Sequence, residues 1–232
     1  RELGAEITAI GCAPDGFNIN ENSGSTHTEN LREKVLELKA DLGIAFDGDG
    51  DRVIMIDHNG EIVDGDELLF IIARHLRSIK KLHGGVVGTS MTNLGIEQAL
   101  ASLNIPFMRA PVGDRHVMAK LKEQGWQIGG ESSGHIVHLA LSSTGDGIIS
   151  ALQVLSAMYE TGHNLAAIKK GIRKYPQVLL NVPTPSVFDI NSQHIQEAIR
   201  ATEQQLGKMG RVLLRASGTE PVVRIMVEGE QS

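Results

Sequence analysis

The chain has a single cysteine, Cys12, among 232 residues, so no disulfide can close within it, and the sequence reads as that of a protein of a reducing, cytoplasmic compartment. Cys12 reads as a small packed residue rather than a nucleophile, because no paired histidine motif accompanies it. No apolar run reaches the roughly 20 residues that span a bilayer, and no membrane partner is expected. Basic blocks are equally scarce. Beyond Lys80-Lys81 and Lys169-Lys170 none stands out, and 22 basic against 28 acidic residues leave a net charge of -6. No nucleic-acid partner is therefore expected. The first residue is not Met: the chain opens on Arg1-Glu2-Leu3-Gly4, which reads as the end of a helix, so further sequence upstream is expected. What remains is an ordinary globular composition, 41% hydrophobic and 22% charged, long enough for one large or two small domains.

The most informative stretch is Leu42-Gly43-Ile44-Ala45-Phe46-Asp47-Gly48-Asp49-Gly50-Asp51-Arg52. Ile44 to Phe46 reads as a buried strand that ends where two glycines alternate with three aspartates. Three carboxylates in one tight loop repel one another, and a divalent cation is the natural compensation. Glycines let the loop curl until Asp47, Asp49 and Asp51 face one point, and hard oxygen ligands suit Mg²⁺. An EF-hand would need Gly and Glu at the sixth and twelfth positions, where this chain has Arg52 and His58.

In chain order, residues 6–11 read as a short strand and residues 18–28 as a polar loop. Leu31, Val35, Leu38 and Leu42 recur at helical spacing, with Gly43 as the stop. That order places the acidic loop at a strand's carboxyl end, where α/β folds bind ligands. A hairpin follows through Asp57-His58-Asn59-Gly60. Asp64-Gly65-Asp66 reads as a turn and helix cap, with a domain boundary at 64. Residues 65–176 form a second α/β unit with strands around 86–87, 106–108 and 126–128 and helices over 93–103, 148–159 and 165–172. The prolines from Pro176 onward mark the passage to a small α+β domain, 177–232.

Three further strings carry polar chemistry. Val112-Gly113-Asp114-Arg115 is equally readable as a helix cap or a ligand contact. Gly130-Glu131-Ser132-Ser133-Gly134-His135 sets a carboxylate, hydroxyls and an imidazole between glycines, a mixture that suits a sugar, with Glu131 accepting from hydroxyls and Ser133 donating; His135 can also be purely structural. Arg215-Ala216-Ser217-Gly218-Thr219-Glu220-Pro221, with Arg224 beyond it, offers cations, hydroxyls and backbone N–H groups to a phosphate.

Together these strings resemble the α-D-phosphohexomutase superfamily, and the resemblance extends over the whole chain, including Thr144-Gly145-Asp146-Gly147. It implies mixed-sheet α/β domains followed by a small α+β domain, with residues 1–64 as the end of domain two. It further implies Mg²⁺ held by Asp47, Asp49 and Asp51, Arg52 against an active-site phosphoserine and His135 near the reacting end. Asp114, Arg115, Glu131, Ser133, Arg215, Ser217, Gly218, Thr219 and Arg224 would hold a hexosamine phosphate. The implied reaction passes a phosphoryl group from serine to one sugar oxygen and recovers it from another, interconverting glucosamine 6-phosphate and glucosamine 1-phosphate.

The family's phosphoserine loop, a Thr-Ala-Ser-His-Asn-like string, is absent here; Ser23 and Ser25 stand in an unrelated Ser-Gly-Ser-Thr context. The chain is therefore expected to depend on amino-terminal domains of the same protein and to be inactive alone. Two other readings remain. One is a phosphatase of the haloacid-dehalogenase type with Asp47 as nucleophile. The other is a non-catalytic module that binds sugar phosphates.

Overall fold

A computed structural model describes residues 4–184, 189–216 and 221–230. The chain divides into two compact units, Arg1–Thr92 with Leu100–Gly171, and Asn93–Ala99 with Ile172–Ser232.

The first unit opens irregularly. Asp15 Oδ1 accepts from the N–H groups of Phe17 and Asn18 at 2.8 and 2.9 Å, pinning a turn. The strand expected over 6–11 does not form. Ile7 and Ile10 are exposed, and the segment makes no ladder with any described strand, without which alternation alone does not hold an extended backbone. Helix α1 (Glu29–Leu38) ends on Lys39 in the left-handed region. Leu42 begins β1 (Leu42–Phe46) instead of continuing the helix. Gly43 is a contact residue rather than a stop: a Cβ there would lie 2.7 Å from Val35 Cγ2 and 2.9 Å from Leu31 Cγ, so its absence lets α1 lie flat on the strand.

β1 pairs antiparallel with β2 (Val53–Asp57), and β2 with β3 (Ile62–Val63). The acidic loop thus joins two strands of a meander and does not lead into a crossover helix. The turn to β3 is tied by Asp57, whose Oδ1 accepts from Asn59 N at 2.9 Å and Glu61 N at 3.0 Å.

Helix α2 (Gly65–Ser78) starts in a full capping box: Asp64 Oδ1 accepts from Glu67 N, and Glu67 Oε2 accepts from Asp64 N, both at 3.2 Å. Leu68, Leu69, Phe70, Ile71, Ile72 and Ala73 are all buried, as in a helix covered on every side. Each large apolar side chain among them contributes about 1.5–3 kcal/mol by leaving water. Helix α2 packs against β2 and against α5 (Gly147–Thr161). A second sheet runs in the order β5-β4-β6-β7, with β4 (Val86–Thr89) parallel to β5 (Phe107–Ala110) and to β6 (Ile128–Gly130). β7 (Ile136–His138), which periodicity did not reveal, returns antiparallel to β6. Helices α3 (Leu94–Ser102) and α4 (Asp114–Gln124) lie in the connections between the parallel strands, and Val117 and Leu121 of α4 close a core over Val87, Ala110 and Val137. The helix expected over 165–172 is only α6 (Leu165–Ile168). Arg74 takes up the carbonyls of Ile168 and Lys170, and Lys169 turns back toward Asp57 and Glu61, at 3.5 and 3.0 Å.

The second unit is a three-stranded antiparallel sheet, β8 (Gln177–Pro183), β10 (Val222–Gly229) and β9 (Gly210–Ala216) in that spatial order, with α7 (Gln193–Leu206) against β9. Glu228, with no exposure, accepts from Leu94 N at 3.1 Å and from Gln177 Nε2 at 2.6 Å, and pairs with Arg211. The chain is thus mixed α/β followed by a small α+β element, as its resemblance implied.

Candidate active site

The acidic loop spans residues 47–52, because Phe46 and Val53 are the last paired residues of β1 and β2. The turn needs Gly50, whose φ is +74°. At Gly48 the exposed Ile19 side chain lies over the backbone, its Cδ1 2.3 Å from where a Cβ would stand, so a side chain there would have to displace it. Curled in this way, the loop brings one carboxylate oxygen each from Asp47, Asp49 and Asp51 within 4.8 Å of one another. At that spacing each pair of charges repels by about 1–4 kcal/mol, between the water and protein-surface limits.

Arg52 offsets part of this. Its N–H donates to Asp47 Oδ1 at 3.0 Å, and its Nε lies 3.6 Å from Asp47 Oδ2 and 3.9 Å from Asp51 Oδ1. Asp51 Oδ1 is nevertheless buried without a hydrogen bond. Three hard oxygen donors, one of them unsatisfied, fit a small divalent cation such as Mg²⁺.

The Gly130–His135 string reaches the same place from far along the sequence. It is the β6–β7 hairpin connection, and tertiary contacts splice it beside the start of β2: Val53 N donates to Gly134 O at 3.1 Å, and Arg52 and His135 form an antiparallel bridge. His135 is 4% exposed, and its Nδ1 lies 3.0 Å from Asp51 Oδ2. The imidazole rests on the backbone of Gly145, where a Cβ would fall 2.3–2.8 Å from three ring atoms. Two residues on, the first N–H of α5 donates from Gly147 to Gly50 O at 2.9 Å. Gly65, at the start of α2, lies so close that a Cβ would meet Glu131 O at 2.1 Å. Gly65, Gly145 and Gly147 carry no chemistry of their own, and sequence reasoning read them only as turn or cap residues.

Glu131 Oε1 accepts from Gly113 N at 2.9 Å, which draws the entry of α4 to the loop. Asp114 and Arg115 sit at that entry, exposed, with Asp114 Oδ1 accepting from Arg115 N at 2.7 Å and Arg115 Nε donating to His116 Nε2 at 3.3 Å. Ser133 is exposed on the hairpin. In the second unit, Arg215 and Arg224 are directly opposed on β9 and β10 and share one face of the sheet. Ser217, Gly218 and Thr219 lie outside the described residues.

Comparison with known proteins bears on this arrangement. The description "Phosphoglucomutase/phosphomannomutase, alpha/beta/alpha domain III" matches residues 64–175, and the C-terminal domain of the same family matches residues 179–232. Phosphoglucosamine mutase of Nitrosococcus oceani is 60% identical over 98% of the chain, and that of Aeromonas hydrophila 56% over 99%. The chain spans 51% and 52% of those two proteins, about half their length. Among solved structures, Aspergillus fumigatus N-acetylphosphoglucosamine mutase in complex with GlcNAc-6P and magnesium shares the fold with a TM-score of 0.72 at 21% identity, covering 91% of this chain and 54% of that one. A phosphoglucomutase/phosphomannomutase family protein of Burkholderia thailandensis gives 0.73 at 22% identity, over 89% and 46%. The two family domains follow each other in order over most of the sequence, and relatives of the same class match along its whole length; the chain belongs to the α-D-phosphohexomutase superfamily.

Proposed function

We propose that this chain is the carboxy-terminal portion of a phosphoglucosamine mutase, interconverting glucosamine 6-phosphate and glucosamine 1-phosphate once joined to the domains that carry the phosphoserine. The observation that carries the proposal is the bond from His135 to Asp51, which unites a carboxylate cluster and a sugar-type loop in one site. Relatives 56–60% identical that bear this name support the choice of substrate. The three segments 1–64, 65–176 and 177–232 are proposed as the end of domain two, domain three and domain four.

In this reading Asp47, Asp49 and Asp51 hold Mg²⁺, which when bound offsets negative charge on the transferring phosphoryl group. Arg52, anchored by Asp47, presents its guanidinium to the phosphoserine. Glu131 and Ser133 orient sugar hydroxyls, and Asp114 and Arg115 line the approach. His135 lies buried beside the reacting end, where its proton is fixed in position by Asp51. Arg215 and Arg224, with Ser217, Gly218 and Thr219, hold the phosphate that is not reacting. The opposed positions of Arg215 and Arg224 on β9 and β10 set two cations side by side, an arrangement that favours an anion over them. Positioning and electrostatics then carry most of the catalysis. A cytoplasmic location is part of the proposal; among the described residues no helix is long and apolar enough to cross a membrane.

The test is reconstitution. The chain alone, given glucosamine 6-phosphate, glucose 1,6-bisphosphate and Mg²⁺, is expected to give no glucosamine 1-phosphate by ³¹P NMR. Adding the amino-terminal half of the N. oceani relative is expected to restore turnover, and Asp49→Asn to abolish it. Steady turnover by the chain alone, or full activity of the Asp49→Asn variant in the mixture, would refute the assignment.

A further inference from the structure

Helices α2, α5 and α6 line an open cavity of about 310 Å³ that shares no residue with the acidic loop. Its wall is apolar at Ile71, Ala157 and Ile168 and polar at Arg74, His75 and Ser78, with Thr161 and the His163 imidazole completing the polar side.

The polar groups are unevenly satisfied. Arg74 donates to Lys170 O at 3.0 Å and to Ile168 O, and its guanidinium lies 5.2 Å from the centre of the Phe70 ring. Among the described residues it has no carboxylate partner, and desolvation by burial lowers its pKa. The His75 side chain is 9% exposed, with Nε2 3.6 Å from the Glu160 carboxylate. Its Nδ1 is buried with no hydrogen-bond partner. With the proton on Nε2, facing Glu160, Nδ1 is an acceptor. Ser78 Oγ spends its proton on His75 O at 2.7 Å, so its free lone pairs also accept.

The cavity therefore offers a cation at one position, hydrogen-bond acceptors at another and an apolar wall. We infer that it binds a small organic carboxylate whose apolar body also carries a hydrogen-bond donor, either hydroxyl or ammonium. A single negative charge suits the lone guanidinium. A phosphate dianion calls for more than one permanent cation, and Arg74 is the one guanidinium or ammonium group in the lining. The volume lies at the small end of ligand pockets, which limits the occupant to a few heavy atoms beyond the carboxylate.

The inference is independent of the mutase reading. It is tested by titrating the full chain with 3-hydroxybutyrate, 3-aminobutyrate, butyrate and inorganic phosphate while the His75 ring resonances are followed by NMR. One or both donor-bearing acids are expected to shift His75 saturably with Kd near about 1 mM, and which one does so identifies the donor. Butyrate and phosphate are expected to bind at least about tenfold more weakly. Arg74→Met is expected to abolish the shift. Because Arg74 also secures α6, Ser78→Ala serves as the milder variant, weakening binding severalfold with the α6 contacts intact. Shifts that rise linearly to about 20 mM, equal binding of butyrate, or unchanged binding by Arg74→Met would each overturn the inference.

Discussion

Gly145→Ala tests whether the imidazole of His135 is a structural part of the cation site. The new Cβ would lie 2.3 Å from Cε1, 2.4 Å from Nε2 and 2.8 Å from Nδ1 of that ring, whereas ordinary contacts begin near about 3.4 Å. One side must yield by roughly 1 Å. With 4% exposure the ring has no solvent-facing escape, and the movement available to it lengthens the 3.0 Å contact with Asp51. Loss of a hydrogen bond to a charged group costs about 1.5–3 kcal/mol, and overpacking about 1–3 kcal/mol. Since relaxation that relieves one increases the other, a net destabilisation of about 2–4 kcal/mol is expected. Asp51 also loses its orienting partner, and cation affinity is expected to fall by about 10–100-fold. Isothermal titration with Mg²⁺ measures the affinity, and thermal melting the stability. His135→Gln, which frees the space above Gly145, should lower affinity with less loss of stability. Melting within about 1 °C of the parent and Mg²⁺ affinity within twofold would refute the steric argument.

Four other outcomes follow from the same structure. Lys169→Met strands Asp57, which is fully buried although its Oδ1 has two backbone donors; a loss of about 3 kcal/mol, or roughly 6–12 °C in melting temperature, is expected, against under about 1 kcal/mol for an exposed pair. Desolvation lowers the pKa of Lys169, but Glu61, Glu67 and Asp57 together outweigh it and raise the value. The stabilisation is thus complete below the ordinary lysine range near about pH 10.4 and is lost as pH rises through the higher folded value, a dependence that Lys169→Met should remove from melting curves. Asp64→Ala breaks the capping box and should cost about 1 kcal/mol by urea denaturation, with Asp64→Asn losing less. Arg215→Met should weaken glucosamine 6-phosphate binding by about tenfold or more in calorimetry while leaving Mg²⁺ affinity unchanged.

Local chemistry was legible in the residues alone. The acidic trio, its glycines and Arg52 lie within one loop, so the crowding of charge and the case for a cation follow from spacing. The Asp64–Glu67 cap and the Asp57 turn are similarly short-range, since each donor and acceptor lies within four residues of its partner. Tertiary structure decided what depends on distant chain. The apolar alternation over 6–11 resembles a strand, yet a ladder requires a neighbour that no local pattern supplies. Leu42 fitted the helical spacing of α1 but went to β1, because pairing with Asp57 outweighs a final helical turn. His135 could be a structural histidine or a site residue until the fold brought it to Asp51, 84 positions away. Gly65, Gly145 and Gly147 look like turn residues in sequence, and only packing shows that each makes room for another segment's backbone or side chain. Composition and spacing determine which charges gather in a loop; close approach between remote segments determines which groups meet them, because steric exclusion acts only once the chain has folded.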